Sequence, residues 1–162
     1  MDYRALAGAR DLAGFQRDFP CFFLVGDVAL QRPARSMATI SLDMNTLNNL
    51  SVEPELETTY LVFPVRKVQP TLQSMISVGR TANNDIVIND VQISKFHALF
   101  RIRDDQLELE DAGSVNGTKV GDVPLVKGQP KVVRSGDRVG FGSVEFKLYD
   151  SAAAWHALRA LP

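Results

Sequence analysis

The sequence predicts an all-β fold, a two-sheet antiparallel β-sandwich, and three observations support this prediction. Short segments alternate apolar and polar residues, as in HALFRIR (97–103) and SVEFKLY (143–149). A strand buries one face of such a pattern, whereas a helix could bury neither face cleanly. Turn-forming pairs such as Asn116-Gly117 separate the segments. Strands this short and this closely spaced are typical of sandwiches and barrels.

Six segments are predicted to be strands of the sandwich because they alternate in polarity or are rich in β-branched and aromatic residues. They are 57–65, 74–78, 85–88, 97–103, 106–110 and 143–149. In the fourth segment, Ala98, Phe100 and Ile102 share one face. We expect this face to point into the core.

The two ends of the chain differ from this pattern. Residues 2–19 place apolar side chains near the helical period and predict a helix, although two glycines interrupt it. Residues 20–30 and 36–44 are predicted as two further strands, and 151–162 as a short C-terminal helix capped by Ser151. With a boundary near 50–56, we divide the chain into an N-terminal extension that packs on or near the core (1–55), the sandwich domain (56–150) and the C-terminal helix (151–162).

Composition and charge exclude several classes of function. The 162 residues include 18 basic and 19 acidic side chains, so the net charge is −1. Nucleic acids and anionic membranes attract proteins with a basic excess, so we expect neither as a partner. The single cysteine, Cys21, lies in an apolar run and predicts a buried thiol rather than a disulfide. Two histidines are too few for a convincing zinc site, so no metal and no other cofactor is expected.

The chain has neither the pattern of a signal peptide nor an apolar run of membrane-spanning length. These two observations predict a soluble, cytoplasmic protein.

The segment VQISKFHALF (91–100) places three reactive side chains within four positions and allows three interpretations. Ser94 and His97 could be a nucleophile and its base, Ser94 and Lys95 could bind an anion, or the segment could be a polar turn. The catalytic interpretation is weak because side chains three apart at the start of a strand need not meet. A G-x-S-x-G elbow is also absent from the sequence. We therefore predict that the protein is not an enzyme and has no catalytic residues.

Five polar motifs follow one another along the chain, and the ordered set is far more specific than any one of them. They are SVGR (77–80), NNDIVI (83–88), SKFH (94–97), EDAGSVNGT (110–118) and SGDRVGFG (135–142). In this order they resemble the forkhead-associated (FHA) domain, over about residues 57–150. The resemblance implies an FHA/SMAD-like sandwich that binds phosphothreonine peptides through loops at one end. It therefore implies a signalling or scaffolding module.

The resemblance assigns phosphopeptide contacts to Arg80, Ser94, Lys95 and Asn116. A phosphate near neutral pH carries almost two negative charges and three strong acceptor oxygens, and the planar guanidinium of Arg80 fits them bidentately. Ser94 would donate its hydroxyl, Lys95 would add positive charge, and Asn116 would read the peptide backbone. Each also has a plainer interpretation: a strand-end arginine, a turn serine, a solvated lysine and the first residue of an Asn-Gly turn.

Five further residues are expected to support the site. Gly79 would permit a tight backbone, and His97 would hold the loop that carries Ser94. The others, in the adjoining loop, are Val115, Gly117 and Thr118.

Local charge suits an acidic ligand. Residues 66–103 hold six basic side chains against two acidic ones, within a chain that is almost neutral.

Two positions depart from the family pattern. Val115 stands where many phosphate binders carry a serine or threonine hydroxyl, so one phosphate contact would be missing. Gly121 stands where the family often places an asparagine, mainly as a turn residue. The first departure leaves open an alternative, a degenerate FHA fold that acts as a structural domain or binds partners independently of phosphate.

The expected partner is a protein or peptide that carries phosphothreonine, a Ser/Thr kinase substrate. The N-terminal extension leaves self-association open as well. The string ETT (57–59) resembles a phosphorylatable tail motif of some bacterial FHA proteins, but Thr58 and Thr59 run directly into a predicted strand. We therefore interpret them as strand residues, and internal docking of another threonine, such as Thr39 or Thr46, stays open.

Overall fold

The computed structural model describes residues 1–28, 59–69 and 74–162, which form two β-sheets and three short helices. The strands are β1 (Phe22–Val28), β2 (Thr59–Val65), β3 (Met75–Gly79), β4 (Ile86–Val87), β5 (Ala98–Arg103), β6 (Gln106–Asp111), β7 (Thr118–Val120), β8 (Val123–Pro124), β9 (Lys131–Val133), β10 (Arg138–Phe141) and β11 (Val144–Tyr149). The helices are α1 (Tyr3–Gly8), α2 (Leu12–Asp18) and α3 (Ser151–Ala160).

Six strands form one sheet, in the order β2-β1-β11-β10-β7-β8, and five form the other, in the order β4-β3-β5-β6-β9. Neighbouring strands are antiparallel, except that β3 and β4 are parallel. The predicted two-sheet β-sandwich with a short C-terminal helix is therefore confirmed.

Two apolar cores hold these layers together. The main core lies between the sheets and includes Phe100, Phe141 and Leu148, which are fully buried. The second core packs the three helices against the outer face of the six-stranded sheet. Because successive side chains of a strand point to opposite faces, β1 contributes Leu24 to the main core and Phe23 to the second core.

The six segments predicted as strands of the sandwich coincide with β2 to β6 and β11, and the segment 20–30 contains β1. One side chain departs from the predicted pattern: Ile102, expected in the core with Ala98 and Phe100, is 64% exposed. It lies near the end of the β5–β6 hairpin, next to the turn at Asp104 and Asp105, where the alternation of the strand no longer ensures burial.

The predictions for the helices need two corrections. Residues 2–19 form α1 and α2 rather than one helix, because Asp11 begins the second helix by accepting a hydrogen bond from the Gly14 N–H. The N-cap of α3 is Asp150 rather than Ser151, since the Asp150 carboxylate accepts from the Ala153 N–H (2.8 Å).

The prediction for the cysteine also needs a correction, because Cys21 is half-buried rather than buried.

Several predictions lie outside the described residues, namely the strand at 36–44, the boundary near 50–56, and the threonines Thr39, Thr46 and Thr58. Among the described residues, no group of three or more His, Cys, Asp or Glu side chains is arranged to hold a metal ion. The helices in this part of the chain are too short or too polar to cross a membrane.

A fully buried carboxylate, that of Asp85, fixes the chain segment 67–69 against β3. It accepts hydrogen bonds from the Lys67 ammonium (2.8 Å) and from the backbone N–H groups of Val68 and Gln69 (both 2.6 Å) and of Ser77 (2.8 Å). Burial alone would raise the pKa of Asp85, but these hydrogen bonds outweigh it and hold the pKa well below the ordinary value. The ionised form therefore stabilises the fold.

We predict that Asp85→Asn lowers the free energy of unfolding by about 2–3 kcal/mol, because an amide cannot accept all of these charge-assisted hydrogen bonds. Since the folded pKa is lowered, the contribution of Asp85 is complete above about pH 4 and is lost as the pH falls below that value. Urea unfolding at neutral pH and at acidic pH measures both effects. Asp105→Asn, at an exposed turn, is the control and should change stability by less than about 0.5 kcal/mol. Equal stability of Asp85→Asn and the wild type at neutral pH would contradict this account.

Candidate functional site

Three loops at one end of the sandwich form a groove of about 460 Å³. The first loop (80–85) joins β3 to β4, the second (88–97) joins β4 to β5, and the third (112–117) joins β6 to β7. All four predicted binding residues line this groove: Arg80, Ser94, Lys95 and Asn116.

Arg80 begins the first loop, directly after β3, and is exposed. Its backbone N–H donates to the Ser94 carbonyl oxygen (3.0 Å), which places Arg80 beside the second loop. Within the described part of the chain, neither Arg80 nor Lys95 forms an ion pair with a carboxylate. Both cationic groups are therefore free to meet an anion in the groove.

The approach of the first two loops depends on Gly79, which has no side chain. A Cβ atom at Gly79 would lie 2.3 Å from the Lys95 carbonyl oxygen and 2.6 Å from the Asn84 amide nitrogen, closer than van der Waals contact allows. The buried Asn84 amide nitrogen donates to that same Lys95 carbonyl oxygen (2.7 Å) and to the Thr81 backbone carbonyl oxygen (2.8 Å). Asn84 was not among the predicted site residues, and its place in the motif NNDIVI was the one signal of it in the sequence.

The Ser94 hydroxyl is held by the third loop rather than by a catalytic base. Its Oγ accepts a hydrogen bond from the Val115 N–H (3.0 Å), while the Ser94 backbone N–H donates to His97 Nδ1 (3.0 Å). The hydrogen bond that would make Ser94 and His97 a nucleophile–base pair is thus replaced by a backbone contact. The hydroxyl proton remains available for an acceptor in the groove.

His97 is fully buried and bridges the second and third loops. Because Nδ1 accepts from Ser94, the proton is on Nε2, which donates to the Gly117 carbonyl oxygen (3.0 Å). Burial lowers the pKa of His97, and the Gly117 carbonyl and the Asp111 charge only partly oppose that effect. The imidazole is therefore neutral at physiological pH.

A buried carboxylate, Asp111, shapes the third loop and was also not anticipated from the sequence. It accepts from the backbone N–H groups of Gly113 (2.9 Å) and Ser114 (3.0 Å) and from the hydroxyls of Ser114 and Thr118 (both 2.6 Å). Burial raises the pKa of Asp111, but these hydrogen bonds lower it by a larger amount, so the net shift of the pKa is downward. Gly117 completes the turn with a φ of +80°, which favours glycine.

Asn116 and Val115 project from the tip of the third loop, and both are exposed. The Asn116 amide nitrogen donates to the backbone oxygen of Gln92 (2.8 Å) and to its side-chain Oε1 (3.0 Å). Val115 is 87% exposed. Of the supporting residues predicted from the sequence, Val115 lines the groove, and the others lie in or next to its three loops. Two residues not predicted, Asn84 and Gln92, hydrogen-bond to the predicted binding residues Lys95 and Asn116.

The positive charge of the region is less concentrated than its sequence suggests. Of the six basic residues between 66 and 103, Lys67 pairs with Asp85 and Arg101 pairs with Glu110. Arg80 and Lys95 are the two that line the groove, whose described lining contains no acidic side chain. The groove therefore has the character of a small anion-binding site.

Comparison with known proteins agrees with this architecture. The sequence model of the FHA domain matches residues 76–142. The glycogen accumulation regulator GarA of Mycobacterium tuberculosis is 37% identical over 76 residues, which are 47% of this chain and 44% of the relative. The oxoglutarate dehydrogenase inhibitor of Corynebacterium diphtheriae is 41% identical over 72 residues, 44% of this chain and 47% of the relative. The matched part spans a little under half the length of each.

Solved structures show the same fold at low sequence identity. The yeast Dun1 FHA domain, solved in complex with a doubly phosphorylated peptide, has a TM-score of 0.50 at 18% identity and covers 82% of this chain and 76% of its own. Mycobacterium tuberculosis EmbR, in complex with a low-affinity phosphopeptide, has a TM-score of 0.51 at 18% identity, with 82% of this chain and 25% of its own covered. Residues 76–142 thus match the FHA domain in sequence, and the described residues have the fold of solved FHA structures.

Proposed function

We propose that the groove binds a protein segment phosphorylated on threonine and that the chain is a phosphopeptide-binding module of a signalling or scaffolding system. The observation that carries this proposal is the meeting of Arg80, Ser94 and Lys95 in one groove without an acidic neighbour in its lining. The guanidinium, the hydroxyl and the ammonium are all donors, and a phosphate offers three acceptor oxygens with almost two negative charges.

The magnitude of these contacts is sufficient for specific binding. A hydrogen bond to a charged group contributes about 1.5–3 kcal/mol, so two or three of them are comparable to the roughly 8 kcal/mol of a micromolar complex. The phosphate would therefore supply most of the affinity, and the flanking residues of the bound segment would supply the remainder. The names of the two relatives, a glycogen accumulation regulator and an oxoglutarate dehydrogenase inhibitor, are compatible with a regulatory module of this kind.

A second candidate function is phosphate-independent binding by the same loops. The observation that favours it is the exposed apolar side chain of Val115, at the position where the family often offers a hydroxyl. Such a domain would bind its partner equally well with and without the phosphate, so the two functions make opposite predictions for dephosphorylated ligand.

The proposed site is held ready by a neutral His97. If the imidazole were protonated, Nδ1 would become a donor and would face the Ser94 N–H, which is also a donor. Acid would thus weaken the second loop before any ligand is present. A bound phosphate titrates in the same pH range, so the effect of His97 protonation is measured in the unliganded protein.

The proposed function is tested by Arg80→Ala. We expect this variant to bind a library of phosphothreonine peptides at least about 100-fold more weakly than the wild type, because it loses the bidentate contact to phosphate. Fluorescence anisotropy with matched phosphothreonine, phosphoserine and unphosphorylated libraries measures the loss. Arg103→Ala, at an exposed position outside the groove, is the matched control and should leave binding unchanged. Equal binding of phosphorylated and unphosphorylated libraries would reject the proposal in favour of the phosphate-independent function.

We predict that Val115→Thr strengthens phosphopeptide binding by about two- to tenfold, the range that one added hydrogen bond supplies. Threonine has nearly the shape of valine and adds only a hydroxyl, so the backbone contact from residue 115 to Ser94 should persist. Isothermal titration with a peptide selected on the wild type measures the gain. Val115→Ala, which changes the side chain without adding a donor, should show none. An unchanged or weakened affinity for the threonine variant would mean that this position does not face the phosphate.

For the unliganded protein, we predict that the free energy of unfolding falls as the pH is lowered through about 6.5, with a slope of at most about 1.4 kcal/mol per pH unit from His97. The sign follows because the folded pKa of His97 lies below its unfolded value, so the unfolded chain binds the proton more readily. Denaturant unfolding between pH 7 and pH 5 measures the slope. His97→Gln should remove it, whereas His156→Gln, at an exposed position on α3, should retain it. Parallel curves for the wild type and His97→Gln would contradict the assignment.

A further inference from the structure

The side-chain amide of Asn116 has both of its N–H donors in use within the protein. One donates to the backbone oxygen of Gln92 (2.8 Å) and the other to Gln92 Oε1 (3.0 Å). The orientation of the amide follows from chemistry, since only the nitrogen of Asn116 can face a backbone carbonyl. The same reasoning fixes Gln92, because the side-chain atom that faces the Asn116 nitrogen must be an acceptor and is therefore its oxygen.

The backbone of Gln92 that accepts this contact belongs to an anchored turn. The Gln92 N–H donates to Asp90 Oδ1 (2.7 Å), and the Ile93 N–H donates to the Asp90 carbonyl oxygen (3.1 Å). The Ile93 side chain is 1% exposed and belongs to the main core. The Gln92 carbonyl is therefore a fixed acceptor, and the exposed Gln92 side chain adds a second acceptor beside it.

Gly142 leaves the space in which the Gln92–Asn116 pair forms. A Cβ atom at Gly142 would lie 3.0 Å from the Gln92 carbonyl oxygen and 3.3 Å from Asn116 Cβ. Its φ of +58° is also a conformation that glycine adopts without strain. The pair is thus packed against the β10–β11 turn as well as hydrogen-bonded across the groove.

The remaining polar atom of the Asn116 side chain is Oδ1, an acceptor that makes no hydrogen bond with the described residues. We propose that Gln92 is a positioning residue that makes Asn116 a hydrogen-bond acceptor towards the ligand, so that the bound segment must present an N–H group to Asn116. This inference rests on the proposed function and deepens it, because it specifies one polar group that the phosphorylated segment must carry.

The consequence for ligand choice is concrete. A backbone N–H of the bound segment satisfies Asn116 Oδ1 without disturbing Gln92, whereas a ligand carbonyl would have to displace Gln92 Oε1 from the amide nitrogen. Proline has no backbone N–H, so proline is disfavoured at the ligand position that faces Asn116. Selectivity of this kind is independent of the phosphate contacts of Arg80 and Ser94.

The first experiment uses the unliganded protein. Hydrogen exchange of the Asn116 side-chain amide, measured by NMR, should be slow in the wild type and several-fold faster in Gln92→Ala, which removes one of its two acceptors. Gln129→Ala, at an exposed position away from the groove, is the matched control and should leave the rate unchanged. An equal exchange rate in the wild type and Gln92→Ala would overturn the positioning role.

The second experiment is a double-mutant cycle on phosphopeptide affinity. Gln92→Ala should weaken binding about two- to tenfold in the wild type, the range of one neutral hydrogen bond, and should have no further effect in the Asn116→Ala background. A tighter complex with Gln92→Ala would show that Gln92 competes with the ligand for the Asn116 nitrogen, and would overturn the proposal. An equal loss in both backgrounds would also overturn it, since Gln92 would then act independently of Asn116.

The third experiment identifies the N–H group of the ligand. Phosphopeptides are made in which one amide N–H at a time is replaced by an ester oxygen. One replacement should weaken binding to the wild type by several-fold and leave binding to Asn116→Ala unchanged. If no replacement behaves in this way, Asn116 does not accept from the backbone of the ligand. Failure of the proposed function is distinguishable, because a chain that bound no phosphopeptide could still show the exchange behaviour of the unliganded Asn116 amide.

Discussion

A neutral imidazole at His97 joins the chain segments from which the groove is built. Its ring contacts Ser94 through Nδ1 and Gly117 through Nε2, and its backbone N–H donates to the Val78 carbonyl oxygen (2.8 Å). Its own carbonyl oxygen accepts from the Ala112 N–H (3.0 Å). One residue therefore links β3, the second loop and both ends of the third loop. The two ring contacts need an acceptor and a donor on one rigid side chain, and the imidazole loses few rotamers when it is buried.

The polar side chains of this region divide into two groups with different surroundings. Arg80, Lys95 and Asn116 are exposed at the groove, whereas the side chains of His97 and Asp111 are buried and hydrogen-bonded. A preorganised site benefits from this division, because binding then requires little ordering of the protein. The buried members fix the backbone. Of the exposed members, Arg80 and Lys95 keep their donors available to a ligand, and Asn116 keeps the acceptor Oδ1.

Much of the sandwich could be predicted from the sequence, because β5, β6 and β11 have one buried face and therefore alternate. The short strands β7, β8 and β9 contain two or three residues each, too few for a period to be seen. The break between α1 and α2 depends on Asp11 acting as a cap, which competes locally with continuation of the helix.

For the candidate site, the binding and supporting residues came from an ordered set of motifs, but their contacts did not. Asn84 and Lys95 are joined across 11 positions, and Asn116 and Gln92 across 24, distances in sequence at which no local pattern operates. Gly79 likewise depends on a residue distant in sequence, because the Lys95 carbonyl oxygen leaves no space for a Cβ atom at position 79. Residue types at these positions can be read from a sequence, whereas the partner of each is set only when the sheets pair.

Strand β1 serves both cores with alternate side chains, and it lies in the sheet between β2 and β11. These three strands are outside residues 76–142, the segment that the family pattern marks. A fragment cut to that segment would retain all three loops of the groove and yet lack half of one sheet, leaving Phe141 and Val139 without the strand that covers them. The segment that identifies the domain is therefore shorter than the segment that completes its sheets and its core.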